Sequence, residues 1–477
     1  MKELEDYTPS TELLQKITND QAWHYHVVPK EAGGNALSLY IDKEKNHTHI
    51  KHELDMFLGM DVELFPVESL EMNRLLARVY RKTNKSTGQS SVISSQSDDF
   101  LVQLISEAHS TDSSDIHIET FEDKCRIRLR IDGKLAEKYV INKNEYPAII
   151  NKIKIKSNLD IAEKRLPQDG RIFFNHHGKK FDIRVSVLPT LYGEKIVMRL
   201  LSKDSTDIDI TKLGYDEKQL SDYLEAVKKS HGIVLISGPT GSGKTTTLYG
   251  TLKVLNREDI NLLTIEDPIE YTLDGINQVQ LNEAIGLSFA SALRTFLRQD
   301  PDVIMLGEIR DGETAQMAIR ASLTGHLVFS TIHTNSAWGT ISRLTDMGVP
   351  SYLIANTMIM TVAQRLIRVL CPYCKKEEIF SASLFPSRFK LSKPISTYFK
   401  PVGCEQCYFT GYKGRKAVYE VIPIDHELSE AIKNNVNDVN ELLKSRNIKK
   451  LSDSALAYFE QGITSIEEIY PILVNEL

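Results

Sequence analysis

The run Gly238-Pro239-Thr240-Gly241-Ser242-Gly243-Lys244-Thr245 has the residue types and spacing to hold a chain of phosphates. It fits G-x-x-x-x-G-K-[ST], follows the apolar stretch Ile233-Val234-Leu235-Ile236, and leads into a helical pattern over residues 246–255 that opens with Thr246. Glycines let backbone N–H groups converge on phosphate oxygens, and the N-terminus of the next helix adds a favourable dipole. Lys244 is expected to reach the β and γ phosphates, and Thr245 to ligate Mg²⁺. No N-K-x-D element follows to read guanine, which favours ATP over GTP.

Glu266-Asp267-Pro268-Ile269-Glu270 places three carboxylates at the end of a second apolar stretch, Leu262-Leu263-Thr264-Ile265. Carboxylates this close repel unless a metal, a water or cations meet them. The run reads either as a ligand-facing box or as a solvated acidic loop. A third stretch, Val303-Ile304-Met305-Leu306, ends in Gly307-Glu308-Ile309-Arg310-Asp311. Gly307 stands where a metal-holding strand usually carries Asp, so Glu308 is expected to orient Mg²⁺ or its water. A fourth, Leu327-Val328-Phe329-Ser330, runs on to Thr331-Ile332-His333, with His326 at its start. His333 can sense a γ phosphate, whereas His326 is equally open to structural hydrogen bonding. Arg294 and Arg298, four apart, share a helical face and could pair with the acidic box, a neighbouring subunit or ordinary surface acids.

Four of the five cysteines form two knuckles, Cys371-Pro372-Tyr373-Cys374 and Cys404-Glu405-Gln406-Cys407. Paired C-x-x-C elements suit tetrahedral Zn²⁺ in a closed structural site. No aromatic-interleaved basic stretch accompanies them, which disfavours a nucleic-acid ribbon. Cys125, alone in a strand-like stretch, reads as a small buried apolar residue.

The elements that must position these groups follow from periodicity. Near-continuous apolar runs separated by helical patterns predict a parallel sheet buried on both faces, a doubly wound α/β core over residues 204–370. Before it, residues 98–203 read as an α+β domain. A helix through Phe100, Leu101, Leu104, Ile105 and Ala108 precedes alternating strands at 115–119 and 126–131, and a hairpin is expected around Asn175-His176-His177-Gly178. Residues 1–82 form a small mixed module with a strand at 36–41 and helical patterns at 52–60 and 68–80. A polar stretch over 83–97 predicts a flexible linker. Residues 371–412 form the cysteine element and 413–477 a helical region.

With 477 residues there is ample chain for several cores. Lys plus Arg is 58 and Asp plus Glu 64, a net charge of −6, which argues against a general nucleic-acid binder. No apolar run reaches the roughly 18–20 residues of a membrane span. The polar, acidic start MKELEDYTPS is unlike a secretory signal, so a soluble cytoplasmic protein is expected.

The phosphate loop, LLTIEDPIEY, LRTFLRQDPDVIMLGEIRD and ASLTGHLVFSTIHTN, in this order and spacing, resemble the type II secretion and type IV pilus assembly ATPases. SSDIHIE, LPQDGR and the four-cysteine element extend the similarity over about residues 98–420. The resemblance implies a RecA-like core, a PAS-like middle domain, and a homohexameric ring with ATP between the middle domain of one subunit and the core of another. It implies that Glu270 positions or activates the attacking water, that Glu308 acts at the atypical Mg²⁺ strand, and that His333 senses the γ phosphate. Arg171 of LPQDGR and Arg184 of DIRVS would supply positive charge to the phosphates, unless they form a cross-strand structural pair. Gly414-Arg415 matches a family motif and equally a structural turn.

The implied function is Mg²⁺-dependent ATP hydrolysis that drives pilus or pseudopilus assembly, with the protein held peripherally at the inner membrane. The zinc element would contact the membrane platform, and residues 1–82 would dock on a cytoplasmic domain of a partner. The R-L-G-x-x-L motif through which some relatives bind cyclic-di-GMP is absent, so that ligand is not expected. Alternatives are a pilus-retraction motor, a DNA-translocating ring ATPase, which the charge balance disfavours, and a scaffold that binds ATP without hydrolysing it.

Overall fold

In the computed structural model, residues 7, 9–14, 16–33, 36–80, 100–176, 179–201, 208–381, 384–386, 389, 395–407 and 410–475 are described. The linker expected over 83–97 and the hairpin residues 177–178 lie outside them. Two compact units are distinguished. One comprises Met1–Ser202 with Cys371–Lys375 and Pro401–Lys413; the other comprises Lys203–Leu370, Lys376–Lys400 and Gly414–Leu477.

In the first unit, strands β1 (Val27–Gly33), β2 (Ala36–Asp42) and β3 (Asp61–Val67) make a small sheet, β1–β2 antiparallel and β2–β3 parallel. The helices His47–Leu58 and Ser69–Val79 accompany it, and Leu37, Leu39, Ile41, Leu54, Met72 and Leu76 are fully buried. A second sheet has the order β6-β5-β4-β9-β8-β7 and is antiparallel throughout. Its strands are β4 (Ser113–Thr120), β5 (Cys125–Ile131), β6 (Lys134–Ile141), β7 (Gln168–His176), β8 (Lys179–Thr190) and β9 (Gly193–Leu201). Alternation puts Ile116, Ile118, Ile127, Leu129, Ile183, Val185, Ile196 and Met198 into one core with the helices Phe100–Ser110 and Tyr146–Lys156. Cys125 is buried in this core.

In the second unit the described strands form a seven-stranded sheet, β12-β11-β13-β14-β10-β15-β18. They are β10 (Gly232–Ser237), β11 (Leu262–Glu266), β12 (Asn277–Gln280), β13 (Val303–Leu306), β14 (Leu327–Ile332), β15 (Met358–Leu370) and β18 (Tyr412–Pro423). From β12 to β15 every neighbouring pair is parallel. Residues of β10, β11, β13 and β14 are buried without exception, and successive side chains enter two different cores. Ile233, Leu235, Leu263, Ile304 and Val328 face one; Val234, Ile236, Leu262, Met305 and Phe329 face the other. That is the expected α/β core with helices on both faces.

The segment from 413, expected to be helical, opens instead with β18, which completes this sheet before four helices from His426 to Val474 follow. β18 and β15 escaped the periodicity reading because each mixes polar residues into a buried strand. A two-stranded hairpin, β16 (Lys376–Ile379) with β17 (Thr397–Lys400), lies between them in sequence. No helix among the described residues is long and apolar enough to cross a membrane.

The ion pair of Lys154 with Glu194 is buried inside the first unit. Lys154 has no exposed surface; its Nζ is 2.5 Å from Glu194 Oε1 and donates to the Glu163 carbonyl at 2.7 Å. Removing one partner of a buried pair strands the other charge. The nearly isosteric Lys154→Met is expected to destabilise this unit by about 3–5 kcal/mol, read from urea denaturation.

Candidate functional site

β10 ends at Ser237, and the chain then turns through Gly238 (φ +151°), Pro239, Thr240, Gly241 (φ +80°), Ser242 and Gly243 (φ +89°) into the helix Lys244–Leu255. Space as well as φ requires glycine here. A Cβ on Gly238 would stand 2.5 Å from the Gln364 carbonyl, and one on Gly243 would stand 2.8 Å from Gln364 Nε2. Gln364, almost fully buried in β15, clamps the loop: its Nε2 donates to the Ser242 carbonyl at 2.8 Å and its Oε1 accepts from Thr247 Oγ1 at 2.9 Å. Lys244 curls over the loop, donating to the carbonyls of Gly238 at 2.8 Å and Pro239 at 3.1 Å. Burial lowers its ammonium below the usual pKa, while nearby Glu308 opposes the shift and Arg365 adds to it. Thr245 and Thr246 are exposed at the first helical turn.

The acidic box divides. Glu266 turns inward and is 3% exposed, so three carboxylates do not share the strand end. It is held by the Tyr249 hydroxyl, by Thr264 Oγ1 at 2.6 Å and by Gln278 Nε2 at 3.0 Å. Asp267 and Glu270 remain partly exposed beyond β11, and the Glu270 N–H donates to the Tyr249 hydroxyl at 3.3 Å. Beyond β13, Glu308 accepts from Arg310 Nε at 2.6 Å and lies 3.3 Å from His333 Nε2, which follows β14. Arg310 also reaches Asp267 Oδ2 at 3.2 Å and so bridges two acidic strand ends. At Gly307 a Cβ would stand 3.3 Å from the Ile265 carbonyl and 3.4 Å from Glu266 Cα, a close approach to the neighbouring strand end.

These ends lie on one edge because β11, β13, β14 and β10 are parallel neighbours, the place where such sheets bind ligands. Oxygen donors on Thr245 and Glu308 have the chemistry to hold Mg²⁺. His326 sits at the opposite end of β14, its Nδ1 2.8 Å from the Ala321 carbonyl, and so caps the helix Gly312–Leu323. Gln364 and Tyr249 lie outside the motifs that type and spacing pick out, Arg310 falls inside one with no role of its own, and Glu266 reads from sequence only as one of three clustered carboxylates. The only sequence signal for Gln364 is an amide inside the apolar run of β15.

Arg294 pairs with Glu313 rather than with the acidic box. Its helix ends at Phe296, so Arg298 lies in the following turn and donates to the Arg294 carbonyl at 2.9 Å. Arg171 and Arg184 belong to the first unit, where they stand opposite each other across β7 and β8; Arg199 of β9 is next in the row. Arg199 in turn pairs with Asp115 at 2.9 Å. Arg415 is exposed in β18 after Gly414 (φ +79°).

The Sγ atoms of Cys371, Cys374, Cys404 and Cys407 all lie within 4.8 Å of one another. Cys371–Cys404 and Cys374–Cys407 are 3.7 Å apart and Cys404–Cys407 3.8 Å. Tetrahedral zinc with bonds of about 2.3 Å requires sulfurs about 3.8 Å apart. Backbone N–H groups of Gly403, Cys404 and Gly411 point at Cys374 or Cys407 sulfur from 3.2–3.3 Å, suiting thiolates. The donor set therefore fits Zn²⁺ and leaves no open position for catalysis.

Gln364→Ala removes one hydrogen bond from the phosphate loop and one from Thr247 in the helix that follows it, each contributing about 1 kcal/mol. It is expected to weaken binding of a fluorescent ATP analogue roughly tenfold or more in a titration.

A family model described as type II/IV secretion system protein matches residues 94–471. The chain is 40% identical over 498 aligned residues to the type IV pilus assembly ATPase PilB of Myxococcus xanthus, covering 98% of this chain and 87% of that one. It is 44% identical over 389 residues to the type II secretion system ATPase E of Vibrio cholerae, covering 79% and 76%. Among solved structures, the ATPase DotB of Legionella pneumophila is similar in fold, with a TM-score of 0.60 at 22% identity over 82% of this chain and 98% of that one. The pilus retraction motor PilT with bound ADP is similar at a TM-score of 0.53 and 25% identity, covering 78% and 96%. From its matched length, its relatives and its site, this chain belongs to the type II secretion and type IV pilus assembly ATPase family.

Proposed function

We propose that the chain is the ATP-hydrolysing motor of a type II secretion pseudopilus or type IV pilus, working as a homohexamer at the cytoplasmic face of the inner membrane. The observation that carries this reading is the gathering of Glu308, His333 and Asp267 beyond β13, β14 and β11, beside the glycine loop of β10. The relatives named as secretion and pilus-assembly ATPases support it.

The glycine loop cradles the phosphates of ATP with its N–H groups, and Lys244 exchanges its carbonyl partners for the β and γ oxygens. Thr245 and Glu308 would hold Mg²⁺, which when bound neutralises charge developing between the β and γ phosphates. Glu270 orients water for in-line attack and accepts its proton. His333, steered by Glu308, donates to the γ phosphate. Arg171 and Arg184, opposed across one hairpin, offer two cations that a neighbouring subunit's nucleotide could recruit. Residues 1–82 would serve as the docking module, and the zinc element over 371–412 would contact the membrane platform.

Glu270→Gln is expected to lower ATP turnover by about 10²-fold or more while nucleotide binding persists. Lys244→Ala is expected to lose both. Phosphate release and equilibrium binding on the full-length protein distinguish the two, and ordinary turnover in Glu270→Gln would remove Glu270 from its role.

Chelation, or Cys371→Ser, is expected to release about one zinc ion per chain and open residues 371–412 to protease. Metal analysis and limited proteolysis read this out. Protection that is unchanged after the metal is lost counts against a structural zinc.

A further inference from the structure

A carboxylate removed from water is costly unless its oxygens accept several hydrogen bonds. Glu266 meets that condition with hydroxyls and an amide: Thr264 Oγ1 and Gln278 Nε2 donate to Oε1, and the Tyr249 hydroxyl donates to Oε2. Two of these donors also grip the segment that bears Glu270. The Tyr249 oxygen accepts the Glu270 N–H at 3.3 Å, and Gln278 Oε1 accepts the Leu273 N–H at 2.7 Å. Gln278 Nε2 lies 3.3 Å from the Tyr271 carbonyl as well. Tyr249 is fully buried in the helix Lys244–Leu255, whose first turn abuts the phosphate loop. Burial, with Glu266 beside it, raises the Tyr249 phenol far above its usual pKa, so the proton stays on oxygen. The hydroxyl thus gives its proton to Glu266 and keeps a lone pair for the Glu270 N–H.

We propose that Tyr249 and Glu266 are positioning residues for hydrolysis: through one shared hydroxyl they hold the main chain at Glu270 in register with the phosphate-binding helix. The proposal rests on the reading of Glu270 as the group that readies water, and adds how that group is held. Neither residue touches substrate. Misplacement of a reacting group by about 1 Å is enough to cost about a hundredfold in rate.

The test is a set of full-length variants assayed for kcat, KM for ATP, binding of a non-hydrolysable ATP analogue, and thermal unfolding. Tyr249→Phe is expected to lower kcat roughly tenfold to a hundredfold, with KM and analogue binding at parental values. Glu266→Gln, which keeps an acceptor for the phenol, is expected to fall between Tyr249→Phe and the parent. Tyr271→Phe is the control. It removes a phenol oxygen from the same cluster, and that hydroxyl has no hydrogen-bond partner among the described residues. Its kcat is expected to match the parent. A parental kcat in Tyr249→Phe overturns the proposal, as does an equal loss in both Phe variants, which would mark simple loosening of the core. Glu270→Gln in the same series keeps the two readings apart. Turnover surviving there overturns the assignment of Glu270, whereas an inactive Glu270→Gln beside a fully active Tyr249→Phe overturns the positioning role alone.

Discussion

Parallel pairing of β11, β13, β14 and β10 is the constraint on which the rest of the site depends. In such a sheet all C-terminal ends emerge on one edge, so residues far apart in sequence arrive side by side. Glu308 and His333 come within 3.3 Å only because their strands are immediate neighbours. Burial on both faces fixes the register. Sliding any of these strands by one residue would exchange side chains between two packed cores of different shape.

Beneath this edge lies a layer of polar groups that hydrogen-bond to one another instead of to water. Gln364 links the phosphate loop to β15, Thr247 meets both Gln364 and the Tyr419 hydroxyl, and Tyr223 meets Thr251. Tyr215 stacks on Tyr419 at 3.7 Å between ring centres. Each of these buried hydrogen-bonded pairs favours one arrangement, since a misplaced member would leave an unsatisfied donor or acceptor. The phosphate loop is therefore braced from the strand side as well as shaped by its own glycines.

Much of this architecture was readable from the residues. Strands with unbroken apolar runs, such as Ile233-Val234-Leu235-Ile236 and Val303-Ile304-Met305-Leu306, announce burial on two faces, and the loop's glycines declare a backbone no other residue adopts easily. β15 and β18 were less visible because Gln364, Arg368 and Glu420 interrupt their apolar pattern while lying buried. Their polarity is satisfied by partners distant in sequence, such as Glu468 for Arg368, and no local pattern reports that. The same holds at the site. Glu266, Asp267 and Glu270 look alike as a cluster, yet packing sends one inward to a tyrosine and leaves the others near water. Arg294 and Arg298 were open to the box by type; helix termination at Phe296 and the presence of Glu313 decided otherwise.

The sulfur cluster has a topological consequence. Cys371 directly follows β15, Gly411 directly precedes β18, and the two are joined by a backbone hydrogen bond of 2.9 Å. The intervening stretch leaves and returns at nearly the same point. Once that clasp is shut, the conformational entropy of the excursion no longer weighs on bringing these two neighbouring strands together. The length of the excursion is thereby uncoupled from the pairing of β15 with β18.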